Sequence, residues 1–346
     1  MPDDVDDQLR RLGERTDADI RDAIAQHVTP VAERLSAMLE YHFGWRAESL
    51  DRLEPPAAAG KKLRPALVLL VCQAVCGELN ACARSAAAGV ELIHNFSLIH
   101  DDIQDRSQLR RHRRTVWSLW GMPQAINAGD ALFALAQVVL LRDGSSTAAE
   151  MAAELSSTSL LLAEGQFLDI DLQAGDSVAS TEMYQTMITR KTGALFAAAC
   201  RLGAMAGGAS EAARDAYAAY GLELGLAFQE QDDLLGVWGT SAVTGKPDAA
   251  DVVERKRGLP AAMALSLPDA PDWLRTAYAD GDGPMQPATI ERVIGHFDRL
   301  DLRTAIEAGV ERRYRSALAC LADAGARQPA RDYLAAICEA LGSRRS

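Results

Sequence analysis

The sequence predicts an all-α protein built as one large helical domain, and three observations carry this. Ala, Leu, Glu and Arg dominate most segments, with apolar residues recurring at three- and four-residue spacing. Alternating Val, Ile and Thr runs joined by turn pairs, the signature of strands, are nearly absent. Clusters of Gly, Pro, Asp and Ser divide the chain into helix-sized pieces, with no repeat and no long linker between them.

The chain opens on a charged stretch, and residues 1–18 of the single domain 1–346 are expected to be mobile. The break from Pro55-Pro56 to Gly60 precedes a helix whose run Leu67 to Cys72 is apolar on more than one stripe. A second apolar helix, Ala86 to Ile99, ends in the acidic stretch His100-Asp101-Asp102-Ile103-Gln104-Asp105. Breaks at Gly121 to Pro123 and Asp143 to Thr147 bracket a helix containing Ala131 to Leu141. After the break Ala174 to Thr181 a helix begins with Ser180 or Thr181 as its cap and Glu182 in its first turn. Ala194 to Met205 is again apolar beyond one stripe, and Leu222 to Phe228 leads into a second acidic pair, Asp232-Asp233. Helices this apolar are central ones packed on several sides, able to wall a deep apolar cavity.

Composition excludes some functions. Of 346 residues, 36 are Lys or Arg and 48 are Asp or Glu, a net charge of −12, which disfavours a general nucleic-acid binder. No apolar run approaches the roughly 20 residues of a membrane span, and Met1 to Asp7 is unlike a signal peptide. A cytoplasmic protein is expected. Cys72, Cys76, Cys82, Cys200, Cys320 and Cys338 lie in Ala- and Leu-rich surroundings without CxxC pairs, which suits buried thiols better than disulfides or zinc.

The two acidic clusters carry the chemical signal. Asp101 and Asp105 are i,i+4 neighbours on a helix, so two like charges share a face. An exposed acidic helix end would account for either cluster alone. Two of them, each ending a hydrophobic helix and lacking His or Cys donors, suggest hard oxygen ligands for Mg²⁺, completed by water and substrate phosphates. Basic groups lie near them in sequence: Lys61 and Arg64 in Gly60-Lys61-Lys62-Leu63-Arg64-Pro65, Arg110-Arg111-His112-Arg113-Arg114, Arg190-Lys191-Thr192-Gly193, and Gly245-Lys246-Pro247. In a chain of net charge −12, cations beside metal-type carboxylates point to a bound polyanion, with metal on one side of a diphosphate and Lys and Arg on the other.

Taken in order, Gly60-Lys61-x-x-Arg64-Pro65, Asp101-Asp102-x-x-Asp105 with Arg110-Arg111, Gly165-Gln166-x-x-Asp169, Lys191-Thr192-Gly193 and Phe228-Gln229-x-x-Asp232-Asp233 resemble the motifs of the trans-polyprenyl diphosphate synthases, from about Gly60 to Pro260. The resemblance implies an all-α isoprenoid synthase fold of antiparallel helices around a deep cavity, usually a homodimer. It also implies head-to-tail condensation of isopentenyl diphosphate with an allylic diphosphate. Carried over by position, Asp101 and Asp105, supported by Asp102, would bind Mg²⁺ on the allylic diphosphate, and Asp232 would bind another ion. Lys191, Gln229, Lys246 and Arg110 would contact that diphosphate, while Lys61, Arg64, His94 and Arg111 would hold isopentenyl diphosphate. Thr192 and Gln229 would orient or stabilise the cation left by ionisation, and Phe228 could offer it a π face.

Two positions depart from the family's pattern. Gly236 stands where the second acidic motif commonly has a third Asp, which removes one outer ligand, and Trp117 stands where a smaller polar residue is common. Product length depends on the cavity below the first motif. Ser97 and Phe96, four and five residues before Asp101, lie ~6 to 7.5 Å deeper along the helix. A Phe at the fifth position, a small residue at the fourth and no insertion in the motif resemble synthases of geranylgeranyl diphosphate; farnesyl diphosphate is the alternative. A terpene cyclase on the same fold is disfavoured because it has no second diphosphate for Lys61, Arg64, His94 and Arg111 to hold. A non-catalytic subunit is disfavoured by the intact Asp101-Asp102-x-x-Asp105.

Overall fold

The computed structural model describes residues 5–57, 60–174, 180–240, 248–279 and 283–342. Apart from one two-stranded hairpin and an isolated bridge, the described secondary structure is helical. The chain divides into two compact units: Met1–Ser159, Ala198–Ala218 and Ala324–Leu334 form the first, and Leu160–Ala197, Ala219–Asp323 and Ala335–Ser346 the second.

In the first unit, α1 (Val5–His27), α2 (Glu33–His42), α3 (Leu63–Cys76), α4 (Ala81–Gln104) and α6 (Met122–Leu141) pack together, with α4 lying along α6 and α2 against α1 and α6. The stretch expected to be mobile is helical from Val5 onward, with Leu9, Leu12 and Thr16 buried. α3 is buried along the whole of Pro65 to Cys72, which explains a run that is apolar on every side. α4 starts where Asn80 caps it, its side chain accepting the Ala83 N–H at 2.8 Å. Between α4 and α6 come α5 (Val116–Trp120) and the antiparallel hairpin of β1 (Leu109–Arg110) and β2 (Arg113–Arg114).

Two expectations need correction at α6. Extended back from Ala131 to Met122, this helix is by length and composition long and apolar enough to cross a membrane, because only Asp130 interrupts it with a charge. Nor is it covered on all sides: Met122, Ile126, Phe133 and Leu141 are exposed, while Ala125, Ala128, Leu132, Leu135, Ala136 and Leu140 are buried.

The second unit holds the end of α7 (Ala148–Ala174), α8 (Thr181–Ile188), a π-helical turn Thr189–Gly193 leading into the first turn of α9 (Ala194–Ala206), whose remainder belongs to the first unit, and most of α10 (Glu211–Trp238). Beyond these come α11 (Ala250–Val253), α12 (Leu259–Leu265), α13 (Asp272–Ala279), α14 (Pro287–Arg299), α15 (Leu302–Asp323) and the end of α16 (Ala330–Gly342). Ser180 caps α8 by accepting the Met183 N–H at 3.0 Å, and Glu182 sits in the first turn as the sequence predicts. All six cysteines are free thiols, and Cys72 and Cys76 lie one turn apart with Sγ atoms 3.8 Å apart.

Candidate active site

In the first unit the site is built at the C-terminal end of α4. Asp101 and Asp102 lie in its last turn and Asp105 is the capping residue, its N–H bonded to the Asp101 carbonyl at 2.8 Å. A helix C-terminus is the negative end of the macrodipole, so three carboxylates there repel both it and one another until cations offset them. The three are not equivalent. Asp102 is buried and accepts Arg110 Nε at 2.8 Å; burial holds its carboxyl up to about 6 although Arg110 pulls the other way. Asp105 is exposed and Asp101 half-buried. Asp102 therefore holds Arg110, and Asp101 and Asp105 are the more accessible pair.

Arg111 and His112 form the two-residue turn of the hairpin, both in the left-handed region with φ of 51° and 61°. Such a turn ordinarily uses Asn or Gly, so an Arg-His pair stores strain, and strain of this kind collects at functional sites. The turn carries the Arg111 guanidinium against Gly60, where a Cβ would lie 2.9 Å from Arg111 Nη2. Next along the Gly60 motif, Arg64 Nη1 lies 3.4 Å from His94 Nε2. Burial, and then the charges of Arg64, Arg111 and Arg110, hold His94 well below its usual pKa, so it stays neutral among these cations. Gly60, Arg64, His94 and Arg111 thus converge from three separate stretches of sequence. Lys61 is exposed and pairs with Asp6 at 3.3 Å.

Beneath this cluster lies a polar chain that sequence reasoning missed. His42 Nε2 lies 3.1 Å from Asn95 Oδ1, and Asn95 Nδ2 donates to Glu91 Oε1 at 2.9 Å, with Glu91 and Asn95 both buried. A lone Glu inside the apolar run Ala86 to Ile99 was the available signal, because a buried acid needs partners. Trp117 acts locally, its indole N–H donating to the Ser107 carbonyl at 2.8 Å and so tying the stretch that follows α4 to α5.

In the second unit, Lys191 and Thr192 sit on the π-helical turn, an irregularity that often marks functional sites. The backbone of Arg190 and Lys191 approaches α7 at Gly165 so closely that any Cβ there would collide with it, which explains the glycine of Gly165-Gln166-x-x-Asp169. Asp169 Oδ2 receives Lys191 Nζ at 2.5 Å. Gln229 on α10 accepts the Thr192 hydroxyl at 2.9 Å and donates to Asp233 at 2.9 Å. Phe228 packs on Phe196, ring centroids 5.8 Å apart. The second acidic pair divides like the first: Asp232 is exposed, while Asp233 is 1% exposed and receives Tyr184 Oη at 2.7 Å and the Leu259 N–H at 2.8 Å. Lys256 lies 3.8 Å from Asp233 and 3.4 Å from Asp251. Burial opposes its charge, but Asp233, Asp251 and Asp232 outweigh that and hold its pKa above the usual lysine value. Lys246 lies outside the described residues.

Among the described residues no three His, Cys, Asp or Glu side chains form a ready metal cage. In the first unit the exposed Asp105 with the half-buried Asp101, and in the second unit the exposed Asp232, each have the oxygen-donor chemistry that suits a hard cation keeping its waters and sharing substrate phosphates, the usual mode of Mg²⁺.

The sequence profile of the Polyprenyl synthetase family matches residues 53–295. A (2E,6E)-farnesyl diphosphate synthase of Mycobacterium tuberculosis (strain ATCC 25618 / H37Rv) is 40% identical over 259 residues, 75% of this chain and 67% of the relative. A geranylgeranyl diphosphate synthase of the same organism is 37% identical over 318 residues, 91% of this chain and 89% of the relative. Among solved structures, a polyprenyl synthetase from Streptomyces coelicolor A3(2) superposes with a TM-score of 0.88 at 34% identity, covering 98% of this chain and 99% of that one.

Proposed function

This chain belongs to the polyprenyl synthetase family, and from that premise we propose which product it makes and which residues make it. It is a prenyltransferase of the isoprenoid synthase fold that joins isopentenyl diphosphate to allylic diphosphates, giving a short-chain trans-prenyl diphosphate. Our reading of the product is geranylgeranyl diphosphate, on the strength of Phe96 and Ser97 before Asp101; farnesyl diphosphate is the second reading, since a relative of each kind matches.

The observation that carries the assignment of roles is the meeting of Gly60, Arg64, His94 and Arg111 in the first unit. Three cationic or hydrogen-bonding side chains against a bare backbone suit a diphosphate that needs no metal, the isopentenyl substrate. Lys61, exposed at the start of the same motif, joins them on binding. Asp101 and Asp105 would hold Mg²⁺ and Asp232 another ion, and the metal when bound would supply Lewis acidity at the allylic leaving group. Arg110, held in place by Asp102, and Lys191, held by Asp169, contact the allylic diphosphate, with Gln229 and Lys246. Ionisation of the allylic C–O bond leaves a carbocation, and the dipoles of Thr192 and Gln229 face that charge. Attack by the isopentenyl double bond depends on positioning, and the released diphosphate takes the last proton.

We read the two units as one synthase domain working in the cytoplasm as a homodimer; the exposed Ile126, Phe133 and Leu141 of α6 support an apolar contact with a second copy. The test incubates purified protein with isopentenyl diphosphate, Mg²⁺ and each of the C5, C10 and C15 allylic diphosphates, and reads product mass. A C20 diphosphate supports the reading and a C15 end point favours the farnesyl alternative. Cyclised hydrocarbon, or no turnover, overturns it.

A further inference from the structure

In the second unit a run of hydrogen bonds links Tyr184 on α8 to Thr192 on the π-helical turn through two residues of α10: Tyr184 to Asp233, Asp233 to Gln229, Gln229 to Thr192. We propose that Tyr184 and Asp233 are positioning residues that fix the direction of every bond in this relay, so that Thr192 Oγ1 is left to offer lone pairs, and never its proton, to positive charge developing on the prenyl chain. The inference rests on the synthase reading above, which places Thr192 and Gln229 beside that charge.

The direction follows from donor and acceptor chemistry. The groups facing Asp233 are donors: the Leu259 N–H can only donate to Oδ2, and the Lys256 ammonium lies 3.8 Å from Oδ1. Asp233 is 1% exposed and has three donors on its two oxygens: the Tyr184 hydroxyl at 2.7 Å and the Leu259 N–H at 2.8 Å on Oδ2, and Gln229 Nε2 at 2.9 Å on Oδ1. The amide nitrogen of Gln229 must therefore face Asp233, which turns Gln229 Oε1 toward Thr192. Thr192 Oγ1, 2.9 Å from that oxygen, has no choice but to donate. Its single proton is committed, and what remains on Oγ1 is acceptor capacity. Bonds running in one direction polarise one another in the same sense, from the hydroxyl of Thr192 through the Gln229 amide to Asp233. Tyr184 keeps the proton the relay needs, because burial and the neighbouring Asp233 hold its pKa well above the usual phenol value.

Asp233 and Asp232 thereby acquire different roles. With both oxygens engaged inside the protein, Asp233 acts on the reaction through Gln229, while the exposed Asp232 faces outward. Tyr184, seven residues before Lys191, has a role that no motif signalled.

A double-mutant cycle tests this, because a residue acting only through Thr192 loses its importance once the Thr192 hydroxyl is gone. The variants are Tyr184→Phe, Thr192→Val and the pair, with Thr192→Ser as the conservative control, and kcat, KM for both diphosphates and the melting temperature are measured for each. Tyr184→Phe is expected to lower kcat about 10- to 100-fold, the size of effect known for outer partners that orient metal-binding side chains, with both KM values nearly unchanged. In the Thr192→Val background the same substitution is expected to cost less than twofold, and Thr192→Ser is expected to stay near wild type. Wild-type kcat in Tyr184→Phe, or an equal loss with and without the Thr192 hydroxyl, overturns the relay while leaving the synthase reading intact. Absence of any prenyl product from the wild type overturns both. If loss of the tyrosine hydroxyl unfolds the chain, the same cycle with Asp233→Asn in its place decides by the same criterion.

Discussion

The Asp251 carboxylate occupies the space beside Gly236 Cα in which a side chain at position 236 would begin, for a Cβ there would stand 3.0 Å from Asp251 Oδ1 and closer still to its other carboxyl atoms. The glycine that replaces the third Asp of the second acidic motif is thus the partner of a buried acid supplied fifteen positions later in the chain, which Lys256 neutralises at 3.4 Å.

Restoring the missing acid is therefore expected to harm the protein. Gly236→Asp would place a second carboxylate in space already filled by Asp251, at a cost of about 3 kcal/mol, the order found for a buried charge without its own partner. Each kcal/mol lowers Tm by about 1–2 °C in a chain of this length. Differential scanning calorimetry checks this, and the double variant Gly236→Asp with Asp251→Ala, which returns one carboxylate to the space, is expected to recover most of the loss. A Gly236→Asp protein as stable as wild type would show that the two positions do not compete.

The helices, the cap at Ser180 and both acidic clusters were legible because periodicity, cap chemistry and a charge pattern are local. The unequal fates of Asp101 and Asp102, and of Asp232 and Asp233, were not, since they depend on Arg110, Tyr184 and Leu259, brought in by folding. The hairpin at Arg110 to Arg114 escaped notice because Arg-His lacks the Asn or Gly that announces a two-residue turn. The π-helical turn at Lys191 has no sequence signature at all, and the exposed side of α6 could not be told from its buried side in a run that is apolar throughout.

The Lys191–Asp169 pair yields a prediction that separates binding from chemistry. An ammonium has three donors, so Asp169 can use one and leave two for a diphosphate, fixing the lysine without competing for all of it. Asp169→Asn is expected to raise KM for the allylic diphosphate about three- to tenfold, roughly 1 kcal/mol of lost orientation, with KM for isopentenyl diphosphate unchanged. Lys191→Ala is expected to lower kcat as well. Steady-state kinetics with each substrate varied in turn decides; equal effects on the two KM values would show that Asp169 acts on the fold at large.

Stability is expected to fall in mild acid. Burial first, then the cations Arg110, Arg111 and Arg113, depress His42 from 6.5 to about 3, partly opposed by its bond to Asn95. Below pH 6.5 the unfolded chain gains a proton that folded His42 refuses, so stability present above 6.5 is lost as pH falls toward 3, by up to about 1.4 kcal/mol per pH unit. His94, likewise held low, adds to the slope. Urea midpoints at pH 7, 6 and 5 measure the loss, and His42→Gln, which retains a donor toward Asn95, is expected to flatten the dependence. Parallel curves for the variant and the wild type would clear His42 of any part in it.

Product length provides the last prediction. The Phe96 ring on α4 contacts Phe133 of α6, centroids 5.3 Å apart, and the His100 ring at 4.9 Å, so it is braced from two sides and cannot swing away from a growing chain as a lone surface ring could. One and a half turns separate Phe96 from Asp101, ~7.5 Å along the helix, a depth of about one isoprene unit beyond the chemistry. Phe96→Ala removes the ring and is expected to lengthen the main product by at least one C5 unit; Phe133→Ala removes only the brace and is expected to give a mixture of the original and longer products. Mass spectrometry of the diphosphates, or of the alcohols after phosphatase treatment, reads both outcomes. An unchanged distribution in Phe96→Ala would mean that the ring is ordinary packing between α4 and α6 and that the floor of the cavity is made by other residues.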